Sequence, residues 1–447
     1  MSDNKMKTYS VAVIGGACAG SEIAASLRER GMEVVVFEQN PLPYGKIEDG
    51  LPRWHLKLQN KEMASIDDKL SREGIHYVPN CKLGEDVTLT QLREDWGFPP
   101  IVMATGAWRD RPLKVDGADE VTDDSLVYQN PFVYWFNHYH ESNYGGKTYR
   151  VDQEPIVIGG GLASIDVAKI CMFQLVLEAA RERGVTLELL DMEHKGIFKT
   201  LDKAGLNYDD LNIKPARLFY RKRVIDMPLV PLDDDPTETQ LEKAVKVREK
   251  LIRNATTKYG FEVHPLRAPL EILVEEGSVT GIRFQVNEFR DGRFVANGET
   301  ETVACTQVIS SIGSIPECLS GVPMIGELYD TNNPFTGELN QHPGVYLVGN
   351  AITGRGNIKD SLRNAKRLGN LVETGISEGE LDYSAVFRQR AEMARDHVAR
   401  LHEYLKGMPP TDDATRDRIR ERTRELQAAH GYAGDYAAWR DQILTSR

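Results

Sequence analysis

Gly15, Gly16, Gly20 and Glu38 are the first residues whose types and spacing could do chemistry. Gly15 permits a tight turn, and Gly20 lets a helix pack closely on a sheet. The N–H groups at the start of that helix can then receive a pyrophosphate. Glu38 stands about twenty residues further on, where a carboxylate accepts ribose hydroxyls. Ala17 occupies the place of the usual second glycine, where phosphate would approach the backbone. A similar pattern recurs as Gly159-Gly160-Gly161-Leu162-Ala163-Ser164, with serine in the third glycine position. Two such signatures are far more specific than one.

The elements that must position these residues follow from hydrophobic patterning. Val11 to Ile14 is a short β-branched run, as expected of a buried parallel strand. Ile23, Ala24 and Leu27 share one face of a helix that Gly31 closes, and Glu33 to Phe37 form the second strand. In the second unit, Pro155 to Ile158 predict a strand and the next helix runs to Arg183. Gly184 caps it, and Val185 to Leu190 read as the paired strand, followed by Asp191, Glu193, His194 and Lys195.

Between the units, Pro41 to His55 is a long Pro/Gly-rich loop, followed by a helix over Lys57 to Glu73 and a strand over Ile75 to Val78. Ile101 to Ala107 predicts a strand ending in a turn at Thr105-Gly106. The aromatic segment from Tyr128 to Tyr149 reads as a connector packed between two domains. Leu241 to Tyr259 predicts a helix with a solvated charged face, and Phe261 to Val303 a meander turning at Glu276-Gly277 and Asp291-Gly292. Strands at Val308 to Gly313 and Val345 to Asn350 return the chain to the core, and a helix is expected over Lys359 to Thr374. Beyond Leu381, two Arg/Glu-rich helical stretches (Tyr383 to Leu405 and Asp413 to His430) carry few apolar positions. They predict an appendage lying on the body or on another subunit.

The 447 residues suffice for two or three domains, and 41% hydrophobic with 27% charged residues is ordinary for a soluble globular chain. A net charge of −12 argues against nucleic acid as the main partner. No apolar run approaches a membrane span, and the first residues lack the apolar core of a signal peptide, so the expectation is a cytoplasmic protein without membrane partners. Cys18, Cys81, Cys171, Cys305 and Cys318 are widely separated, without metal-ligand or redox spacing. No metal site is expected.

The motif order resembles the two-dinucleotide flavoproteins, above all adrenodoxin reductase with its ferredoxin–NADP reductase relatives and, more distantly, the glutamate synthase small subunit. The likeness rests on both glycine turns, Pro43-Tyr44-Gly45, Gly50-Leu51-Pro52, His55, Phe132-Val133, Trp135-Phe136-Asn137, Ala163, Asp166-Val167-Ala168 and Gly354 to Ile358. It covers roughly residues 8 to 375.

The resemblance implies an α/β chain with two Rossmann-like dinucleotide-binding domains, for FAD and NAD(P), plus a C-terminal helical extension. FAD would be held by residues 1–115 and 310–378, the nicotinamide dinucleotide by 116–309, and 379–447 would be the extension. Gly15, Ala17, Ala19, Gly20, Glu38, Gln39, Gly45, Lys46, Cys81, Thr105, Gly106, Gly349 and Asn350 would serve FAD, as would Gly356, Asn357 and Ile358. His55 matches a histidine close to the flavin. Asn350 replaces a tryptophan or aspartate of relatives, and with His55 forms the candidate catalytic pair.

Gly159, Gly160, Gly161, Leu162 and Ala163 would take the second pyrophosphate. Two arginines after the next strand usually clamp the 2′-phosphate of NADP. Asp191, Glu193, His194 and Lys195 stand there in this reading, and carboxylates suit a free hydroxyl, so it leans to NADH over NADPH.

The implied reaction exchanges hydride between nicotinamide and FAD and passes electrons to or from a ferredoxin or iron–sulfur subunit. Lys214, Arg217, Arg221, Lys222 and Arg223, with Arg416, Arg418, Arg420 and Arg422 of the extension, are candidate docking residues for an acidic partner. Alternatives are a flavin subunit of a larger complex docked through its extension, a small-molecule flavin dehydrogenase, and a non-catalytic flavin scaffold.

Overall fold

The computed structural model describes residues 9–230, 236–333, 337–353 and 384–446. β1 (Ser10–Ile14) is buried along its whole length and leads into α1 (Cys18–Glu29) and then β2 (Glu33–Phe37). β1 and β2 run parallel, with Ser10 opposite Glu33 and Ile14 opposite Phe37. α2 (Leu56–Leu70) precedes β3 (Ile75–Val78), which extends the sheet beyond β2. On the other side of β1 lie β4 (Ile101–Met103) and the strand Val345–Leu347. Two short antiparallel strands complete a sheet of seven. The Leu56–Leu70 helix, the Ile75–Val78 strand and the return at Val345 match the sequence reading.

The chain leaves this sheet through β5 (Arg109–Asp110) and comes back through Ser314–Ile315, which pairs with β5 antiparallel. Between them lies a parallel sheet of five, built from β6 (Leu126–Tyr128), β7 (Ile156–Gly159), β8 (Arg217–Tyr220), β9 (Glu262–Pro265) and β13 (Val308–Ser311). α3 (Gln129–His138) follows β6 and carries the aromatic segment. Phe132, Val133, Trp135 and Phe136 are buried in the core with α4 (Leu162–Glu182). Meanwhile Asn137 donates to the carbonyls of Glu48 and Leu51 at 2.8 and 3.0 Å, tying α3 to the loop of the first domain. The aromatic segment is therefore a packed connector, as expected.

The strand expected at Val185 to Leu190 does not form. Gly184, at φ +72°, ends α4, and Leu189–Lys195 is instead helix α5. Its Met192 is fully buried and Asp191 pairs with Lys195 one turn on, at 2.7 Å. A short apolar run suits either period, and here helical contacts win. α6 (Ile197–Lys203) follows, and only then β8, the strand that does pair with β7. α7 (Glu238–Tyr259) starts one turn earlier than the charge pattern suggested, at a capping box between Thr237 and Gln240.

β10 (Arg267–Glu275), β11 (Ser278–Arg290) and β12 (Arg293–Ala304) make an antiparallel meander, which starts later than expected because Glu262–Pro265 pairs parallel with β8 instead. Both anticipated turns have paired positive φ values, at Glu276-Gly277 and Asp291-Gly292.

The extension forms helices Ser384–Lys406 and Asp413–Ala429, as expected, and an unanticipated third, Tyr436–Thr445. It lies on the body of the first domain. Ser10 N–H donates to Thr411 Oγ1 at 3.1 Å, Gln427 Nε2 to the Tyr77 carbonyl at 2.8 Å, and Trp439 Nε1 to the Pro41 carbonyl at 2.8 Å. Tyr432 and Tyr436 meet Tyr77 edge-on. The expected helix at Lys359 to Thr374 lies outside the described residues.

Candidate functional site

The first glycine turn leaves β1 at Gly15, whose φ is +94° and where a Cβ would stand 2.7 Å from the Ala104 carbonyl oxygen. A Cβ on Gly20 would lie 1.8 Å from the Gly15 oxygen, so this glycine sits behind the turn rather than in the cleft. Ala17 starts α1. Its methyl group faces Gly45, where an added Cβ would be 3.1 Å away. The glycine missing at position 17 is thus matched by one on the opposite wall.

Glu38 closes β2 and is buried. It accepts the Gly16 N–H at 2.8 Å and the Asn40 N–H at 3.1 Å. Burial nonetheless pushes its carboxyl up to about 7.

An elongated cleft opens here. It is lined by Gly15, Ala17 and Ala19 from the turn, Glu38 and Gln39 from the end of β2, and Gly45 and Lys46 from the loop. Cys81, Thr105, Gly106, Gly349 and Asn350 close its other sides. The structure thus gathers into one cleft the residues expected around FAD, Gly20 excepted. Gly356, Asn357 and Ile358 lie outside the described residues.

Cys81 is inert as an acid, its thiol pushed up to about 12 by burial and then by Asp86. Tyr44, Trp108 and Phe387 also line the cleft and were not anticipated. Phe387 comes from the extension, whose sequence carries no signal for such a role.

Lys46 reaches from this cleft to the crossing strands. Its Nζ bonds Ser314 Oγ at 2.7 Å and Asn130 Oδ1 at 3.0 Å. His55 makes the second link between the domains. Trp54 Nε1 donates to His55 Nε2 at 2.9 Å, and the same Nε2 lies 3.8 Å from Asp166 Oδ2 on α4. Asp166 is 1% exposed and was noticed only as part of a motif. His55 sits at this junction and Asn350 at the cleft wall, so the structure gives the candidate catalytic pair separate places.

The second turn runs from Gly159 to Gly161. A Cβ on Gly159 would meet Ser164 Oγ at 2.2 Å, and Ser164 Oγ bonds the Ser311 carbonyl at 3.1 Å. A Cβ on Gly160 would strike the Tyr220 ring at 2.2 Å. Around Gly161, which begins α4 with Leu162 and Ala163, a Cβ would meet nothing within 4 Å. That open face is suited to an incoming anion.

Asp191, Glu193, His194 and Lys195 do not follow a strand, because α5 replaces the expected one. Glu193 instead turns inward. It accepts Lys169 Nζ and Tyr259 OH, both at 3.1 Å. Burial alone would raise its carboxyl, but the charge and hydrogen bond of Lys169, the Lys258 charge and the Tyr259 hydroxyl together outweigh that and hold it below the usual range. Lys169 is 3% exposed and lies over the Trp54 and Tyr259 rings at 4.4 and 4.7 Å.

The residues that do follow the strand beside β7 are Arg221, Lys222 and Arg223, directly after β8. Sequence reasoning had marked them as docking residues. The run Arg217–Tyr220, apolar at Leu218 and Phe219 and ending in three cations, was the available signal. Several other candidate docking cations have intramolecular partners. Arg217 bonds the carbonyls of Glu154 and Ala304, Arg418 that of Trp96, and Arg420 the carboxylate of Glu33.

Among the described residues no helix is long and apolar enough to cross a membrane, and no group of three or more His, Cys, Asp or Glu is placed to hold a metal ion.

Comparison with known proteins agrees with this geometry. Residues 9–194 match the family described as pyridine nucleotide-disulphide oxidoreductase. The chain is 26% identical over 431 residues to the mitochondrial NADPH:adrenodoxin oxidoreductase of Salvelinus fontinalis, covering 84% of this chain and 80% of that protein. It is 30% identical over 168 residues to the small chain of NADPH glutamate synthase from Bacillus subtilis, covering 37% of this chain and 32% of that one. Mycobacterium tuberculosis FprA, solved in complex with NADPH, superposes with a TM-score of 0.66 at 20% identity, over 94% of this chain and 91% of that one. The fold is that of the two-dinucleotide pyridine nucleotide-disulphide oxidoreductases, and the resemblance to adrenodoxin reductase read from the motifs extends along most of the chain.

Proposed function

We propose that the protein is an FAD-dependent NAD(P)H oxidoreductase that serves a ferredoxin-type or other iron–sulfur partner. The observation that carries this reading is the His55–Asp166 contact of 3.8 Å, because it brings the loop that follows β2 against the helix that starts at the second turn. Two nucleotides held by the two turns would then point toward one junction.

The residues present fit FAD. Gly15 packs its turn against the Ala104 carbonyl, Gly45 leaves the wall opposite Ala17 without a Cβ, and Glu38 presents a buried carboxyl to the ribose end. When bound, FAD supplies hydride exchange with nicotinamide and the transfer of electrons singly or in pairs. The chain's own residues hold, orient and shield. Lys46 anchors the cleft to the crossing strands. Trp54 donates to His55 Nε2 and so fixes the ring with Nδ1 as the nitrogen that can carry a proton, beside the Asp166 carboxylate at the junction.

The nicotinamide dinucleotide we infer is NADPH, reversing the lean from sequence. That lean placed carboxylates after the paired strand. Beside β7 the strand end carries Arg221, Lys222 and Arg223 instead, and guanidinium groups suit a 2′-phosphate. The adrenodoxin and glutamate synthase relatives, both named for NADPH, agree with this choice.

The test is anaerobic bleaching of the bound flavin by NADPH and NADH in parallel. Rapid bleaching by NADPH is expected, with a preference over NADH that falls by about a hundredfold in Arg221→Ala/Arg223→Ala, as loss of two charge-assisted contacts implies. Bleaching by neither nucleotide would overturn the reading.

A further inference from the structure

The turn after β8 is held from the far side by the antiparallel sheet, which nothing in the reaction as proposed requires. β11 has a bulge between Gln285 and Asn287, and this irregularity turns Asn287 toward the parallel sheet. Asn287 Nδ2 donates to the Arg221 carbonyl at 2.8 Å, and its backbone N–H donates to the Leu266 carbonyl at 2.8 Å. Leu266 N–H in turn donates to the Lys222 carbonyl at 3.0 Å. Leu266 makes this bridge at a φ of +61°, a left-handed conformation that leucine rarely adopts. Strain is thus held where the two sheets meet behind the basic turn.

The hairpin tip supplies a second hold. The Arg223 guanidinium lies 4.0 Å from the centre of the Phe289 ring, and the Phe294 ring packs on Phe289 at 4.9 Å. Phe289 is 44% exposed, so hydrophobic burial does not explain its position. The edge of the same guanidinium is forked onto Asp226, Nε to Oδ2 at 2.7 Å and Nη2 to Oδ1 at 3.2 Å. Asp226 also accepts the Tyr220 hydroxyl through its carbonyl at 3.1 Å, and Tyr220 is the ring that covers Gly160. One face of Arg223 is therefore set by an aromatic ring and one edge by a carboxylate, within reach of the glycine turn.

We propose that the β11–β12 hairpin is the specificity-determining wall of the nicotinamide site. In this arrangement Phe289 and Asn287 are positioning residues that hold the Arg221–Arg223 turn ready for a phosphate on the adenosine ribose. Asp226 is the anion that this phosphate replaces on Arg223. The inference rests on the NADPH reading and adds what tunes it: ring and carboxylate act on the same guanidinium in opposite directions. Removing the ring weakens the phosphate's hold, and removing the carboxylate strengthens it.

The experiment measures kcat and KM for NADPH and NADH, with ferricyanide as acceptor, in the flavin-loaded protein and three variants. Phe289→Ala is expected to raise KM for NADPH by about three- to tenfold, as the loss of one cation–π contact implies, with kcat retained and a far smaller effect on NADH. Phe289→Tyr, which keeps a ring, should restore the native value. Asp226→Asn should lower KM for NADPH and raise the NADPH/NADH preference. Variants that shift both nucleotides alike, or neither, overturn the hairpin's role while the NADPH reading stands. A wild-type protein that prefers NADH overturns both.

Discussion

The two glycine turns look alike in sequence and are built differently. At the first, the chain passes from α1 to the neighbouring strand within a few residues, so the acid that ends the strand, Glu38, falls at the expected spacing. At the second, α5 and α6 intervene before the neighbouring strand arrives as β8. The groups at that strand end are cations, and the nearby acid Glu193 is instead the partner of the buried Lys169. A dinucleotide motif locates its own turn reliably. Its distant ribose-binding residue is located only if the connection has the usual length.

The largest effect should separate the two turns directly. At Gly15, any side chain must adopt φ +94° and meet the Ala104 oxygen at 2.7 Å. Gly15→Val is expected to abolish flavin retention and to cost about 3 kcal/mol or more in stability, read by thermal melts and by absorbance of the purified protein. At Gly161 nothing stands within 4 Å of a Cβ. Gly161→Ala should keep flavin and melting temperature while weakening nicotinamide binding, because the methyl group would crowd only an incoming phosphate. Equal damage from both changes would break the comparison.

Glu193 gives the next effect. Glu193→Gln leaves Lys169 with Asp166 at 3.7 Å as its remaining counter-charge. Partial loss of a buried ion-pair network predicts destabilisation of about 2–3 kcal/mol. The NADPH/NADH preference should not move, since Glu193 points into the core. A shift in preference without a loss of stability would return Glu193 to the ribose site.

What was legible in the sequence follows the same division. The residues lining the first cleft come from short-range signals: a turn, a strand end, and loops fixed by glycine. Hence Gly15, Glu38 and Gly106 could be placed from the residues themselves, while Gly45, Thr105 and Gly349 followed from the resemblance. The extension was legible as helices but not as cleft wall, because Phe387 reaches the cleft only through tertiary packing. Its arginines looked like a docking arm, yet Arg420 is paired with Glu33, buried at the edge of the first sheet. The Leu266 conformation and the bulge at Asn287 depend on how two sheets meet, and no local pattern announces such a meeting.

The smallest effect sharpens the comparison through pH. Glu38 is buried and Glu193 half-buried, and the first is raised to about 7 while the second is lowered, with Lys169 the main cause. A carboxyl raised in the folded state contributes stability that is fully present below its unfolded value near 4.5 and is lost as pH rises through about 7. The flavin-free protein should therefore lose roughly 3 kcal/mol between pH 4.5 and 8 at Glu38. Glu38→Gln removes that slope, though the amide has one acceptor for two N–H donors, a cost of about 1 kcal/mol. The variant should be about 2 kcal/mol more stable than the parent at pH 8 without flavin, and slightly less stable at pH 4.5. Its hold on flavin should weaken at pH 8, where the ribose loses a carboxylate acceptor. A variant that binds flavin normally while keeping the parent's pH slope would show that Glu38 does not face the nucleotide, and the first turn would then be no better understood than the second.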